Sequence, residues 1–474
     1  MWSREPGSFR DAGGFVFSQG GVLYRQVNLV AAKDYDLLMQ SDLYSSLTAQ
    51  GLLLKHEEVP LRLVAAQPAH RVLRPERVPF ISYPYEWCFG QLRDAALITL
   101  KIQRLALAHG AVLRDASAYN IQFIGTRPVF IDTLSFGQYY EGQPWVAYRQ
   151  FCEHFLAPLA LMALVDPSLG QLLRVHIDGI PLPLASRMLP STSLARFGLL
   201  THVHLHARSM RRAASADADS SFRDGSLRGR VLRGGHGMGL TAMLGLVDSL
   251  QSAVRGLVCQ PADSAWADYY DCTNYSENAY KGKTRLVREF LSKAASRRRL
   301  RVIWDLGANT GAFSKVGAET DSLVVALDGD HAAVERHYRD CVARREDRIL
   351  PLVQDFANPS AGIGWSHEER HSLLDRGPAD LAMALALVHH IAIGNNVPLP
   401  DVVAFLRRVA PCAIVEFVPK VDSQVQRLLA TREDVFDGYS RNHFEQAVVR
   451  HFAIADREEI PESSRTLYLL DAER

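Results

Sequence analysis

The chain has 474 residues, more than one typical hydrophobic core organises, so two or three domains are expected. A net charge of +1 supplies no global basic field for nucleic acid, and 47% hydrophobic with 22% charged residues is the balance of a globular protein. Six cysteines without a C-x-x-C pair argue against a disulfide framework or zinc cluster, fitting a reducing, cytoplasmic setting. The first ten residues lack the apolar core of a signal peptide. The longest apolar stretch, Phe155 to Val165, is too short to span a bilayer, so no membrane partner is expected.

Gly13 to Phe17, the Gly20-Gly21 turn and Val22 to Val27 predict a hairpin. A helix over Tyr35 to Leu47 and a strand over Leu52 to Val59 follow. Pro79 to Trp87, rich in proline and aromatics, reads as an extended connector. From Gln91 to His109 the spacing is helical, with Leu92, Ala96, Leu100 and Leu107 on one face.

Next comes A-V-L-R-D-A-S-A-Y-N-I-Q-F, then R-P-V-F-I-D-T-L-S-F. The pair resembles the catalytic and metal-binding loops of protein kinases and aminoglycoside-type phosphotransferases. Arg114 and Asp115 match, Asn120 has the right spacing, and Asp132 follows a strand. The resemblance implies that Asp115 handles an acceptor hydroxyl, that Asn120 and Asp132 hold Mg2+, and that ATP binds there. Leu113 stands where the family has histidine, the glycine-rich loop is missing, and Arg25 occupies the strand where its lysine would be sought. The other reading is that Asp115, Asn120 and Asp132 cap turns. A hairpin of Ile121–Ile124 with Val129–Ile131 would bring Asn120 and Asp132 to one open end, which capping alone does not require.

Trp145 to Val165 and Leu182 to His206 read as helices. His202, His204 and His206 alternate, but without a nearby acid or cysteine they read as a solvated surface rather than a metal site. The organisation expected is a kinase-like α+β domain over 1–212, a flexible linker over 213–235 and a second domain over 236–474, opening with a helix from Leu240 to Leu257. The run Arg297 to Arg301 reads as a solvated connector.

In the second half, Val302 to Leu306 is an apolar run containing Asp305, followed by G-A-N-T-G and a helix start at Ala312. Gly307 and Gly311 permit a sharp turn and close approach to a ligand. Ser322 to Leu327 reads as a strand ending in Asp328-Gly329-Asp330, and a carboxylate there can accept two bonds from a vicinal diol. Nicotinamide-binding folds place an acid at the same point. Val353-Gln354-Asp355-Phe356, Asp380 to His390 and Pro411 to Phe417 continue the alternation. In this order the motifs resemble class I S-adenosylmethionine-dependent methyltransferases, from about Trp266 onward. Asn309 stands where the family's middle glycine is frequent. The resemblance implies an α/β, Rossmann-like domain with a mostly parallel sheet. It implies that Asp305, Gly307, Asn309, Gly311, Asp328, Asp355 and Phe356 bind S-adenosylmethionine, with Asp355 near the adenine amino group. The two-domain pairing resembles nodulation-related bacterial methyltransferases.

Methyl transfer is an in-line displacement in which positioning carries much of the barrier. A base is needed only where the acceptor loses a proton. His389 and His390, at the exit of the fourth strand, are the first candidates, Glu416 the next, and none requires a metal. Tyr270, Tyr275 and Lys281 are candidates for the substrate side. The expected partner is a small molecule or natural product. Phosphotransfer or nucleotide binding by the first half is the competing reading, and the sequence sets no oligomeric state.

Overall fold

The structure is a computed structural model that describes residues 2–212, 238–259, 275–430 and 432–472. The expected 213–235 linker and Tyr270 lie outside the described residues. The chain divides into two compact units. Met1–Val78, Ser82–Phe123 and Pro128–Gln260 form the first; Pro79–Ile81, Ile124–Arg127 and Pro261–Arg474 form the second. No helix among the described residues is long and apolar enough to cross a membrane.

The first unit opens with an antiparallel five-stranded sheet in the order β1-β2-β3-β5-β4. Its strands are β1 (Trp2–Arg4), β2 (Gly14–Gln19), β3 (Val22–Asn28), β4 (His56–Val59) and β5 (Ala69–Pro75). The expected hairpin is β2–β3, turned by Gly20 and Gly21 at φ 59° and 77°. The helix expected over Tyr35 to Leu47 is two, α1 (Ala32–Gln40) and α2 (Leu43–Ala49), broken where Asp42 takes φ 60°. The long helix α3 (Phe89–Ala108) leads to β6 (Ala111–Leu113), which pairs with β9 (Phe136–Gln138). Between them lies the hairpin of β7 (Ile121–Ile124) and β8 (Arg127–Phe130).

Three expectations change in the rest of this unit. The helix of 182–206 is interrupted at Leu189-Pro190, where proline lacks the N–H that would continue it. The histidines are not a solvated surface. His202 is buried, its Nδ1 2.8 Å from the Tyr148 hydroxyl and its Nε2 2.8 Å from Ser249 Oγ. Ser186 and Ser193 hydroxyls meet both ring nitrogens of His204, and His206 stacks on Tyr148 at 4.9 Å. Helix α4 (Leu240–Arg255) also belongs here rather than at the head of the second domain. Its stripe of Met243, Val247, Leu250 and Val254 is buried, and the helix packs on α3. An amphipathic face goes where apolar surface is available, whatever its distance from the preceding segment.

The second unit is built on a seven-stranded mixed sheet in the order β12-β11-β10-β13-β14-β16-β15. Five strands run parallel: β10 (Val302–Leu306), β11 (Leu323–Asp328), β12 (Ile349–Val353), β13 (Leu381–Ala384) and β14 (Cys412–Phe417). β15 (Ala453–Glu459) and β16 (Thr466–Asp471) close one side antiparallel. The helices are α5 (Glu277–Arg297), α6 (Ala312–Ala318), α7 (His331–Arg344), α8 (Leu399–Val409), α9 (Ser423–Leu429) and α10 (Arg441–Val448). Continuous apolar strands such as Ile349–Val353, buried throughout, mark a sheet covered on both faces. Leu286, Val287, Phe290, Leu291 and Ala294 of α5 enter its core. The arginine run is not a free connector, since Arg298 reaches Asp471 at 2.5 Å.

Candidate functional site

A cavity of about 550 Å³ opens at the carboxyl ends of β10, β11, β12 and β13. That is the crevice an open parallel sheet offers, and its size suits a ligand site. After β10 the chain turns through Gly307 at φ 76°, Asn309 at 49° and Gly311 at 80°. Asparagine tolerates the left-handed region, so Asn309 serves in place of glycine. Gly307 and Ala308 donate to the Leu327 carbonyl at 2.8 and 3.0 Å, bracing the turn against β11. Gly311 has a separate reason. A Cβ there would lie 1.9 Å from His337 Nε2, so it seats the turn on α7 and does not line the cavity.

Asp328, the last residue of β11, lines the cavity and accepts from the Asn309 amide at 2.7 Å and the Asp330 amide at 2.8 Å, one on each oxygen. Burial pushes its carboxyl up to about 6. Asp330 also lines the cavity, but its Oδ1 caps α7 through the Ala332 and Ala333 amides. Asp305 is 2% exposed and accepts from Ser314 Oγ at 2.6 Å; burial pushes it up to about 7. Asp355 and Phe356 line the same cavity beyond β12.

The three candidate bases separate. His390 lines the cavity from a π-helical turn, His390–Gly394, a feature frequent at functional sites. Burial first, and Arg465 second, push its imidazole down to about 4. His389 lies behind it, fully buried, with rings 4.1 Å apart and, among the described residues, no hydrogen-bond partner on either nitrogen. Glu416 is fully buried and does not line the cavity. Instead it holds Lys283 Nζ at 2.6 Å, Arg465 at 3.3 Å and the Tyr275 hydroxyl. Burial alone would raise its carboxyl; Lys283 and Arg465 together outweigh that and hold it below the ordinary value.

On the remaining side, Tyr275, Tyr280 and Lys283 face the cavity. Lys281 instead pairs with Glu277 on the exposed side of α5. Sequence reasoning missed Lys283. The signal was present, because residue 283 falls on the same stripe as Leu286, Val287 and Phe290, and a lysine there must be buried.

In the first unit, β7–β8 brings Asn120 and Asp132 together. Asn120 Nδ2 donates to Ser135 Oγ at 3.2 Å, and that hydroxyl donates to Asp132 Oδ2 at 2.5 Å. Asp115 accepts from the Ser117 amide, from Gln150 at 2.8 Å and from Asn120. Asp132 also holds the Arg25 guanidinium at 2.6 Å. The cation in this cluster is thus a side chain. No group of three or more His, Cys, Asp or Glu able to hold a metal occurs among the described residues.

No family model matches the chain. Among solved structures, the bifunctional kinase-methyltransferase WbdD aligns over 45% of this chain and 43% of its own length, at 16% identity and a TM-score of 0.30. Magnesium protoporphyrin IX methyltransferase (ChlM) from Synechocystis PCC 6803 aligns over 43% and 90%, at 16% identity and 0.31. N-methyltransferase NodS from Bradyrhizobium japonicum WM9 aligns over 41% and 98%, at 11% identity and 0.30. At such scores the likeness assigns neither fold nor activity. In sequence, Nodulation protein NoeA of Rhizobium meliloti (strain 1021) is 35% identical over 472 residues, 99% of this chain and 96% of the relative. With both halves inside one alignment at that identity, the chain belongs to the same family as nodulation protein NoeA.

Proposed function

We propose that the second unit binds S-adenosylmethionine and that the protein transfers its methyl group to a small molecule or natural product. One observation carries the reading. A single cavity at the carboxyl ends of parallel strands gathers the 307–309 turn, Asp328, and the Asp355-Phe356 pair. Each Asp328 oxygen has one backbone donor and keeps a lone pair for a diol. Phe356 offers an apolar face to a base. The turn lets backbone approach where a side chain would collide. These features fit the cofactor, which when bound supplies an electrophilic methyl group on a sulfonium.

The chain's own contribution is placement and exclusion of water. His390, Tyr280 and Ile391 line the space left beside the nucleoside. An imidazole held near 4 is a weak base, so His390 would orient an acceptor and take a proton only late in the transfer. Glu416 works through Tyr275 and Lys283 rather than on the acceptor. Phosphotransfer through Asp115, Asn120 and Asp132 with ATP and Mg2+ is not adopted, because Asp132 already holds Arg25. NoeA is named a nodulation protein, and on this reading the acceptor belongs among molecules used in that process. Among the described residues the cysteines are buried and form no disulfide, which suits a reducing compartment, and we place the protein in the cytoplasm.

The test is incubation of the full chain with methyl-labelled S-adenosylmethionine and an extract from cells lacking the protein. A labelled small molecule is expected with the natural chain and, at a cofactor concentration near its dissociation constant, far less label with Asp328→Ala. Equal labelling by both, or label found only in macromolecules, would overturn the reading.

A further inference from the structure

A second cavity, of about 490 Å³, lies in the same unit and takes no part in the site described above. It is enclosed by the end of the 390–396 turn and the start of α8, by the segment that precedes α10, and by α10 itself. The two cavities share a wall. Along the turn, Ile391, Gly394 and Asn395 line the first cavity, while Ala392 and Asn396 line the second. Arg432 fixes that wall, donating to the carbonyls of Ile393 and Gly394 and, at 3.0 Å, to Asn396 Oδ1. Backbone stands between the two, so the second cavity is a site in its own right rather than an extension of the first.

Its lining says what it would hold. Most of the surface is apolar, with Pro398, Pro400 and Phe436 among its sources. Tyr439 spends its hydroxyl on the Val418 carbonyl at 2.8 Å, so it contributes its ring. Among the described residues no acid lines the cavity, and its one permanently charged side chain is Arg450, which no carboxylate pairs. His443 and Gln446 stand three apart on α10, hence on one face, and both line the cavity. Ser440 Oγ takes His443 Nδ1 at 2.8 Å, and Nε2 has no partner among the described residues. A guanidinium beside a ring nitrogen and an amide suits a carboxylate, whose two oxygens match the guanidinium fork. A cationic ligand would meet Arg450, and a wholly apolar one would strip water from the guanidinium without replacing it.

We propose that the second cavity binds a small organic anion, an apolar body carrying one carboxylate, with Arg450 holding the charge and Phe436 and Tyr439 packing on the body. A cavity of this volume takes a molecule of drug-like size. The site does not depend on what the first cavity binds.

The experiment is calorimetric titration of the full chain with 2-naphthoate and, separately, with 2-naphthamide, which keeps the rings and lacks the charge. One naphthoate is expected per chain, bound about three- to tenfold more tightly than the amide, the range of a charge-assisted contact open to solvent. Arg450→Ala should remove the preference by weakening naphthoate alone. Gln446→Trp, at an exposed position on α10, should fill the cavity with an indole and abolish binding of both. Thermal unfolding checks that the two variants stay folded. Saturation with S-adenosylhomocysteine, the cofactor without its methyl group, should leave naphthoate bound. Equal affinity for the two probes, no binding of naphthoate, or binding that survives Gln446→Trp overturns the proposal. Displacement of naphthoate by S-adenosylhomocysteine would put the probe in the first cavity and overturn it as well.

Discussion

Asp328 carries the most at the residue scale. Asp328→Ala should remove one or two hydrogen bonds to a ribose, at least one charge-assisted, and weaken S-adenosylhomocysteine by roughly 1.5–3 kcal/mol, about ten- to hundredfold. Asp330→Ala should behave differently. Its carboxylate caps α7, so about 1 kcal/mol of stability should go while affinity changes little. Calorimetry and thermal unfolding on the two variants separate these roles, and a large affinity loss only in Asp330→Ala would reassign the ribose contact. A pH dependence follows from the same carboxylate. The ionised form accepts both diol protons, and burial raises its carboxyl to about 6. Cofactor affinity should therefore be full above that pH and fall as pH drops through it, with the slope much reduced in Asp328→Asn. Asp328 was legible because an acid after a short apolar run has few other uses. Lys283 was not, because pattern reading discounts a charge on an apolar stripe. Glu416 and His389 were singled out for their places at strand ends, which fix where a residue sits but not which way its side chain faces.

At the scale of elements, the alternation of strands and helices over 302–417 was readable because its strands are mostly apolar runs. What escaped was where a segment docks. α4 lies past residues 213–235, yet its apolar face is buried in the first unit, a choice set by complementary surfaces far apart in sequence. The 307–311 turn offers a sharper check. Gly311→Ala would force a side chain into φ 80° and against His337, costing about 2 kcal/mol or more in thermal or denaturant unfolding. His337→Ala should recover the steric part and leave the backbone part, so the double variant is expected to be more stable than Gly311→Ala alone. A double variant no better than the single would mean that the helix contact does not determine the glycine. The β7–β8 hairpin was legible from Gly125 to Pro128 between two apolar runs, and so was the meeting of Asn120 with Asp132. The occupant of that meeting point was not: Arg25 comes from β3, and only the fold brings it there. With a guanidinium on Asp132, Mg2+ and ATP are expected to leave the unfolding temperature unchanged. A rise of several degrees would contradict that.

The whole molecule has two compact units, and one relative matches across both. The proposed cofactor site lies in the second unit alone. Hydrogen exchange with S-adenosylhomocysteine present should accordingly slow amides in 305–311, 328–330, 354–357 and 385–391, with amides of the first unit unchanged. What the cavity binds decides most, since a glycine-bearing turn and an acid after the second strand serve nicotinamide folds as well. Titrating the full chain in a calorimeter with S-adenosylmethionine and with a nicotinamide dinucleotide tests it most directly. S-adenosylmethionine is expected to bind one site per chain in the micromolar range, about −8 kcal/mol, with no heat from the dinucleotide. Binding of the dinucleotide by folded protein, with none of S-adenosylmethionine, would contradict it.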